Sequence, residues 1–236
     1  MYSKLFKLLI IIVLLSNNIN LCIAQTDNLA TKVLTKNYKN TGGKKWKSIK
    51  SVKYFFEGTI NESTIMNLEI EKLETKRYYS TKFIFPDRNI IYHNIFNGEK
   101  GIRINPNSDI EKIPNDELYL MKEQSYINPE IHYSELGYKV SYLKKGKLDD
   151  IECDILQLIN SQQDTFLNYY EIESGLLLQV VDYTSKSKTV YRDFKQHEGL
   201  TLPARMEIIT SEGAVSEFYL KKIELNAKID ESIFEF

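Results

Sequence analysis

Metal or acid–base chemistry in this 236-residue chain would fall first to its three histidines, His93, His132 and His197. They are far apart in sequence and lack the short ligand spacings of a zinc site, so solvated or hydrogen-bonded side chains are expected and no metal is assigned. Two acid pairs could act as general acid and base. Asp149-Asp150 reads instead as the mouth of a hairpin, and Glu171 with Glu173 leads into a turn. No Gly-x-Ser-x-Gly elbow, glycine-rich phosphate loop or His-Glu-x-x-His is present. Catalytic residues and cofactors are therefore assigned as none. A thiol nucleophile would have to be Cys153, which sits in an apolar strand pattern and reads as a small buried hydrophobe.

Recognition chemistry is better represented. Sixteen tyrosines and eleven phenylalanines concentrate in strand-like segments, where they can stack on a ligand or on one another. The formal net charge is −1 with signs interspersed, so no basic stripe exists for nucleic acid.

Residues 1–24 have Lys4 and Lys7, an apolar run of eight residues and small residues before Gln25, the pattern of a secretory signal peptide cleaved after Ala24. The apolar run is shorter than the roughly 20 residues a membrane helix needs. Acylation at Cys22 is the rival reading, with Leu21 a poor neighbour for it. Removal of the leader takes two lysines and no acid, moving the charge to −3, and leaves 212 residues, enough for one domain. No later stretch is long and apolar enough to cross a membrane, so a soluble protein of the periplasm or cell envelope is expected.

The elements that must position these residues follow from periodicity. A helix capped by Asp27 carries Leu29, Ala30, Val33, Leu34 and Tyr38 at helical spacing and ends at Gly42-Gly43; a further turn tucks in Trp46. Period-two patterns then mark strands over 52–60, 64–73, 76–85, 88–96 and 100–104, joined by short turns that make the sheet antiparallel. Residues 107–136 break the rhythm with two short helices, the second opened by Asn128-Pro129 and stopped by Gly137. Seven more strands follow, over 138–143, 151–159, 165–172, 176–183, 189–194, 200–210 and 214–225. Pro203 places its strand near an edge or a bulge. About 11 or 12 strands exceed what a flat sheet tolerates, so the fold expected is mainly β, with a curved antiparallel sheet in an unclosed half-barrel covered by short helices.

Residues 166–183 form the most informative hairpin, turning at Glu173-Ser174-Gly175. Phe166, Tyr170 and Ile172 lie on one face and Leu167 and Tyr169 on the other. Two apolar faces imply that one packs on the core while the other lines a greasy concavity.

The order of elements resembles that of the periplasmic outer-membrane lipoprotein carriers, the LolA/LolB-like family. Residues 97–106, Asn-Gly-Glu-Lys-Gly-Ile-Arg-Ile-Asn-Pro, are similar to that family's Asp-Gly-Lys, aromatic, Asn-Pro hairpin. Residues 169–177 and 229–234 are similar to further family segments. The resemblance implies an apolar hollow that holds acyl chains, here Phe166, Tyr170, Ile172, Leu176 and Leu178 of the hairpin with Leu118 and Met121 of the cover. It also implies a lid latch at Arg77, within a stretch where Tyr78 stands in place of the family's proline. The function expected is a non-enzymatic, monomeric envelope protein binding a lipid or lipoprotein acyl chains, with no nucleic-acid partner. A scaffold or protein-interaction module of the same fold is the alternative, and an envelope hydrolase a distant third.

Overall fold

The structure is a computed structural model that describes residues 28–61, 63–86 and 89–236; the expected leader and the Asp27 cap lie outside these residues. The first described element, α1, covers residues 28–41 and is followed by a 3-10 turn at Gly43–Ser48 that buries Trp46. Thirteen strands then form one antiparallel sheet: β1 (Ser51–Ile60), β2 (Thr64–Leu73), β3 (Tyr78–Phe85), β4 (Ile90–Asn97), β5 (Gly101–Ile104), β6 (Ile110–Lys112), β7 (Lys139–Leu148), β8 (Ile151–Ile159), β9 (Thr165–Glu171), β10 (Leu177–Asp182), β11 (Ser187–His197), β12 (Leu200–Ile209) and β13 (Val215–Leu225). Between β6 and β7 lie α2 (Asn115–Gln124) and a 3-10 turn at Pro129–His132.

The sheet runs β6-β5-β4-β3-β2-β1-β13-β12-β11-β10-β9-β8-β7 and does not close. Every neighbour is a hairpin partner except β1 and β13, which meet at its centre. This is the unclosed, helix-covered sheet expected from the sequence. The strand that periodicity missed is β6, three residues long and exposed throughout, too short to show an alternation. At the centre, a Cβ on Gly58 would lie 2.0 Å from the Glu217 carbonyl oxygen, so glycine lets β13 approach β1 this closely. Pro203 is on an interior strand. It is not at a bulge, since Phe194 of β11 lies opposite it in unbroken register; β13 pairs only with Arg205–Ile209, so Pro203 has no ladder partner on that side.

One face of the sheet carries three apolar clusters that meet the covering elements. Leu156, Leu158 and Tyr170 pack with Ala30 and Val33 of α1 and with Tyr133. Val52, Leu200 and Leu202 pack with Trp46, Ile49 and Ile127. Tyr79 and Phe96 pack with Ile113 and Met121. The other face of β3 and β4 is covered by the C-terminal segment, where Ile229 and Phe234 bury Ile95 and Phe234 stacks on Tyr78 at 4.4 Å.

The two faces of the β9–β10 hairpin differ from the division expected. Phe166, Asn168 and Tyr170 share the face that meets both core and cover, so core and hollow lie on the same side. The second apolar face belongs to the outer side, where Leu167 is buried along with Cys153, Ile155 and Val190 of nearby strands. Its surplus hydrophobicity is satisfied within the sheet, because adjacent strand side chains cover one another.

Truncating Leu156, which is fully buried between sheet and α1, is expected to cost about 2–5 kcal/mol. Leu143→Ala, on an exposed side chain, should change stability by less than about 0.5 kcal/mol. Urea denaturation of the two variants checks the difference.

Candidate functional site

The connection from β6 to β7, residues 113–138, crosses the inner face of the sheet and leaves a divided hollow beneath and beside it. One cavity of about 260 Å³ lies between this segment and β8–β11, walled by Leu158, Phe166, Asn168, Leu177, Val180 and Tyr191 below and Leu120, Glu123, Glu130 and Tyr133 above. A second, about 200 Å³, runs toward Trp46, Tyr54 and Leu202. A third, about 440 Å³, opens between α1 and residues 130–140. Glu130 lines all three, and Leu177 and Tyr191 line the first two. Among the described residues, no lysine or arginine lines any of the three.

The hairpin end of this hollow is held by α1. Lys36 Nζ donates to the Ile172 carbonyl at 2.6 Å, Asn37 Nδ2 to Gly175 at 3.1 Å and Asn40 Nδ2 to Ser174 at 2.6 Å. Gly175, at φ +74°, takes the turn conformation expected, and a Cβ there would also crowd Lys36 Cγ at 2.8 Å. Three donors of one helix thus satisfy three turn carbonyls.

The residues expected to face ligand are distributed unevenly. Phe166 lines the 260 Å³ cavity, and Tyr170, 0 % exposed, lies next to it. Ile172 falls beyond β9, where its amide donates to Glu152 at 2.9 Å, and Leu176 belongs to the turn; neither lines a cavity. Leu178 is buried but lines none of the three. The register of β10 against β9 slips between Leu177 and Gln179, so Leu177 stands opposite Tyr170 and Val180 opposite Asn168 on the inner face. Simple alternation from Leu176 cannot anticipate that slip. Leu118 and Met121 pack on Tyr79 and Phe96 in the other half of the sheet, away from the hairpin.

Sequence reasoning missed the polar residues of the hollow. Asn168 Nδ2 is 3.3 Å from the Tyr133 hydroxyl and 3.4 Å from that of Tyr170, and Tyr170 in turn donates to Glu130 at 3.5 Å. The Asn168 amide oxygen is buried without a partner. Burial pushes the Glu130 carboxyl up to about 7, opposed by the Tyr170 hydrogen bond. Glu123 is also raised by burial, against the 2.7 Å bond it accepts from Tyr138 and the attraction of Lys72. Lys72 of β2 is lowered to about 8 by burial, with Glu74 and Glu123 pulling the other way, and donates to the Tyr126 carbonyl at 2.9 Å. The one signal available was the acidic residue after Asn128-Pro129, but an acid in a first helical turn is ordinarily a solvated one.

Arg77 and Glu74, in the turn between β2 and β3, meet the crossing segment. The Arg77 guanidinium lies 3.6 Å from the centre of the Tyr126 ring, pairs with Glu74 and is 3.7 Å from Glu135. Tyr126 donates to Glu135 at 2.7 Å, His132 Nδ1 is 2.9 Å from Glu135, and Glu74 accepts the Ile127 amide at 2.8 Å. Arg77 reaches these groups from a left-handed backbone position, φ +55°, just before β3 begins. Tyr78, in place of proline, points to the opposite face and stacks on Phe234.

No protein-family profile matches the chain, and no curated protein is significantly similar to it. Its fold is similar to that of solved structures. One is a DUF1329 family protein from Desulfovibrio piger, with a TM-score of 0.64 at 9% identity, over 87% of this chain and 96% of that one. Another is a LolA superfamily protein from Nitrosomonas europaea, with a TM-score of 0.61 at 14% identity and the same coverage. At these identities the likeness is one of fold: the chain has a LolA-like architecture.

Glu130 sets a pH signature. Its folded pKa lies above that of an unfolded glutamate, so its contribution to stability is full below about pH 4.5 and is lost as pH rises through about 7. Glu130→Gln is expected to flatten that decline and to be more stable than the parent at pH 8, by about 1–3 kcal/mol. Denaturation at pH 5 and pH 8 measures it.

Proposed function

We propose that this protein is an exported, non-enzymatic binding protein that holds an acyl chain, of a lipid or of a lipoprotein, in the hollow between its sheet and residues 113–138. The observation that carries the reading is the set of cavities under the crossing segment, whose walls include Phe166, Leu158, Leu177, Val180 and Tyr191. Each methylene buried there would contribute about 0.8 kcal/mol, so a partly inserted chain binds usefully without polar contacts. The LolA-like fold supports the reading, as does the leader pattern of residues 1–24.

Arg77 then acts as a latch on the crossing segment. Its partners Tyr126 and Glu135 lie within that segment, while Arg77 itself is anchored in the turn between β2 and β3. Release of these contacts would let residues 126–135 lift and enlarge the entrance.

A role as an interaction module on the same fold is favoured by one feature. The edge strand β6 exposes its residues, with Ile110 66 % exposed, and its outer backbone groups can pair with a partner strand. Organic extraction of protein purified from its host, followed by mass spectrometry, separates the readings: a stoichiometric lipid supports the carrier and its absence favours the module.

Leu177→Asp places a charge on the wall shared by two cavities, and it is expected to weaken binding of an apolar fluorescent probe by roughly tenfold or more. Unchanged affinity in the folded variant would refute the ligand assignment. Arg77→Ala should raise amide hydrogen exchange in residues 126–135 while leaving the exchange of β8 and β9 as it is. Equal exchange in parent and variant would remove the latch.

A further inference from the structure

The polar groups at one corner of the hollow specify more than an apolar tail. Glu130 stands where the three cavities meet, and its carboxylate accepts a single long bond, 3.5 Å from Tyr170. Asn168, 2 % exposed, lines the same 260 Å³ cavity, and its amide oxygen has no partner. The Tyr170 hydroxyl lies between the two, within 3.5 Å of each side chain. The Asn168 oxygen is an acceptor with no donor and the Glu130 carboxylate one with only a long bond, and a buried acceptor left without a donor costs about 1–3 kcal/mol. Tyr133, Tyr138, Phe166 and Tyr191 surround them with aromatic surface. Glu123 adds a second carboxyl to the wall. What is missing from this corner is a group that carries N–H donors and positive charge.

We propose that the ligand held in this hollow carries a protonated amino group, seated against Glu130 and the Asn168 amide oxygen, with its apolar chain along Phe166, Leu177 and Val180. Ammonium N–H groups donate to both acceptors, and the neighbouring aromatic rings favour a cation over water-like neutral groups. An anionic headgroup is disfavoured by the same wall: a carboxylate or phosphate brought here would face Glu130 and Glu123, with no lysine or arginine among the described lining residues and only Lys72, behind the wall, attracting Glu123. The ligand class that fits is an amine-bearing amphiphile, with any phosphate lying outside the hollow. This inference rests on the binding role proposed above and assigns the polar end of its ligand.

Three ten-carbon probes, decylamine, decanol and decanoate, displacing an apolar fluorophore from the full protein at pH 8, test it. Decylamine is expected to bind about tenfold tighter than decanol, and decanoate weaker than decanol. Glu130→Gln should abolish the advantage of decylamine over decanol. Decanol bound as tightly as decylamine, decanoate bound as tightly as decylamine, or an amine advantage that survives Glu130→Gln would overturn the inference while leaving the acyl-binding role intact. If none of the three displaces the fluorophore, the binding role and the inference fall together. Should Glu130→Gln fail to fold, the ranking of the three probes on the parent protein decides.

Discussion

Strands β6 and β7 are consecutive among the strands of the chain but lie at opposite edges of the sheet. The 26 residues that separate them, residues 113–138, must therefore cross the entire width of the trough. Crossing on the inner face is productive because that face is apolar, and the segment contributes Ile113, Met121, Ile127 and Tyr133 to three separate clusters as it passes. A hollow under the segment is a consequence of the same geometry. Two short helical pieces and the turns between them touch a curved sheet at separate places rather than along its whole length.

The attachment is graded. Ile127 packs in a buried apolar cluster with Val52, Leu200 and Trp46. The ion pairs of Arg77 with Glu74 and Glu135, and the His132 hydrogen bond to Glu135, are partly exposed, and such contacts contribute little each, so they act as a network rather than as separate stabilisers. Under the binding role proposed above, this division suits a cover that opens. Strong, non-directional burial keeps the segment docked, while the weaker directional contacts at one end set where it yields.

The outer face solves a different problem in two ways. Over β3 and β4, the chain's own C-terminal residues Ile229 and Phe234 hide the apolar surface. Across β11–β13 the outer face is instead polar, with Arg192, Arg205, Glu207 and Glu217 joined in a ladder of ion pairs, 2.5 to 3.2 Å apart. Over β3 and β4 the outer face is thus covered by chain and across β11–β13 by charge, and both leave the inner face as the apolar concavity.

Much of the architecture was legible in order. Period-two patterning, Asn97-Gly98, Gly175 and Asn128-Pro129 mark strands, turns and the helical interruption because backbone sterics and side-chain alternation act locally. The chain by itself therefore determined an antiparallel, uncovered-edge sheet with a helical cover, whereas Arg77 was singled out only through the family resemblance. The chain could not reveal the meeting of β1 with β13, the three-residue β6, or the register slip that exchanges Leu178 for Leu177 and Val180, since each depends on partners far away in sequence. Glu130 and Asn168 show the limit most clearly. A glutamate in a helical first turn and an asparagine in a strand are unremarkable as residues, and only tertiary burial, which strips their water and leaves acceptors short of donors, makes them the chemistry of the hollow.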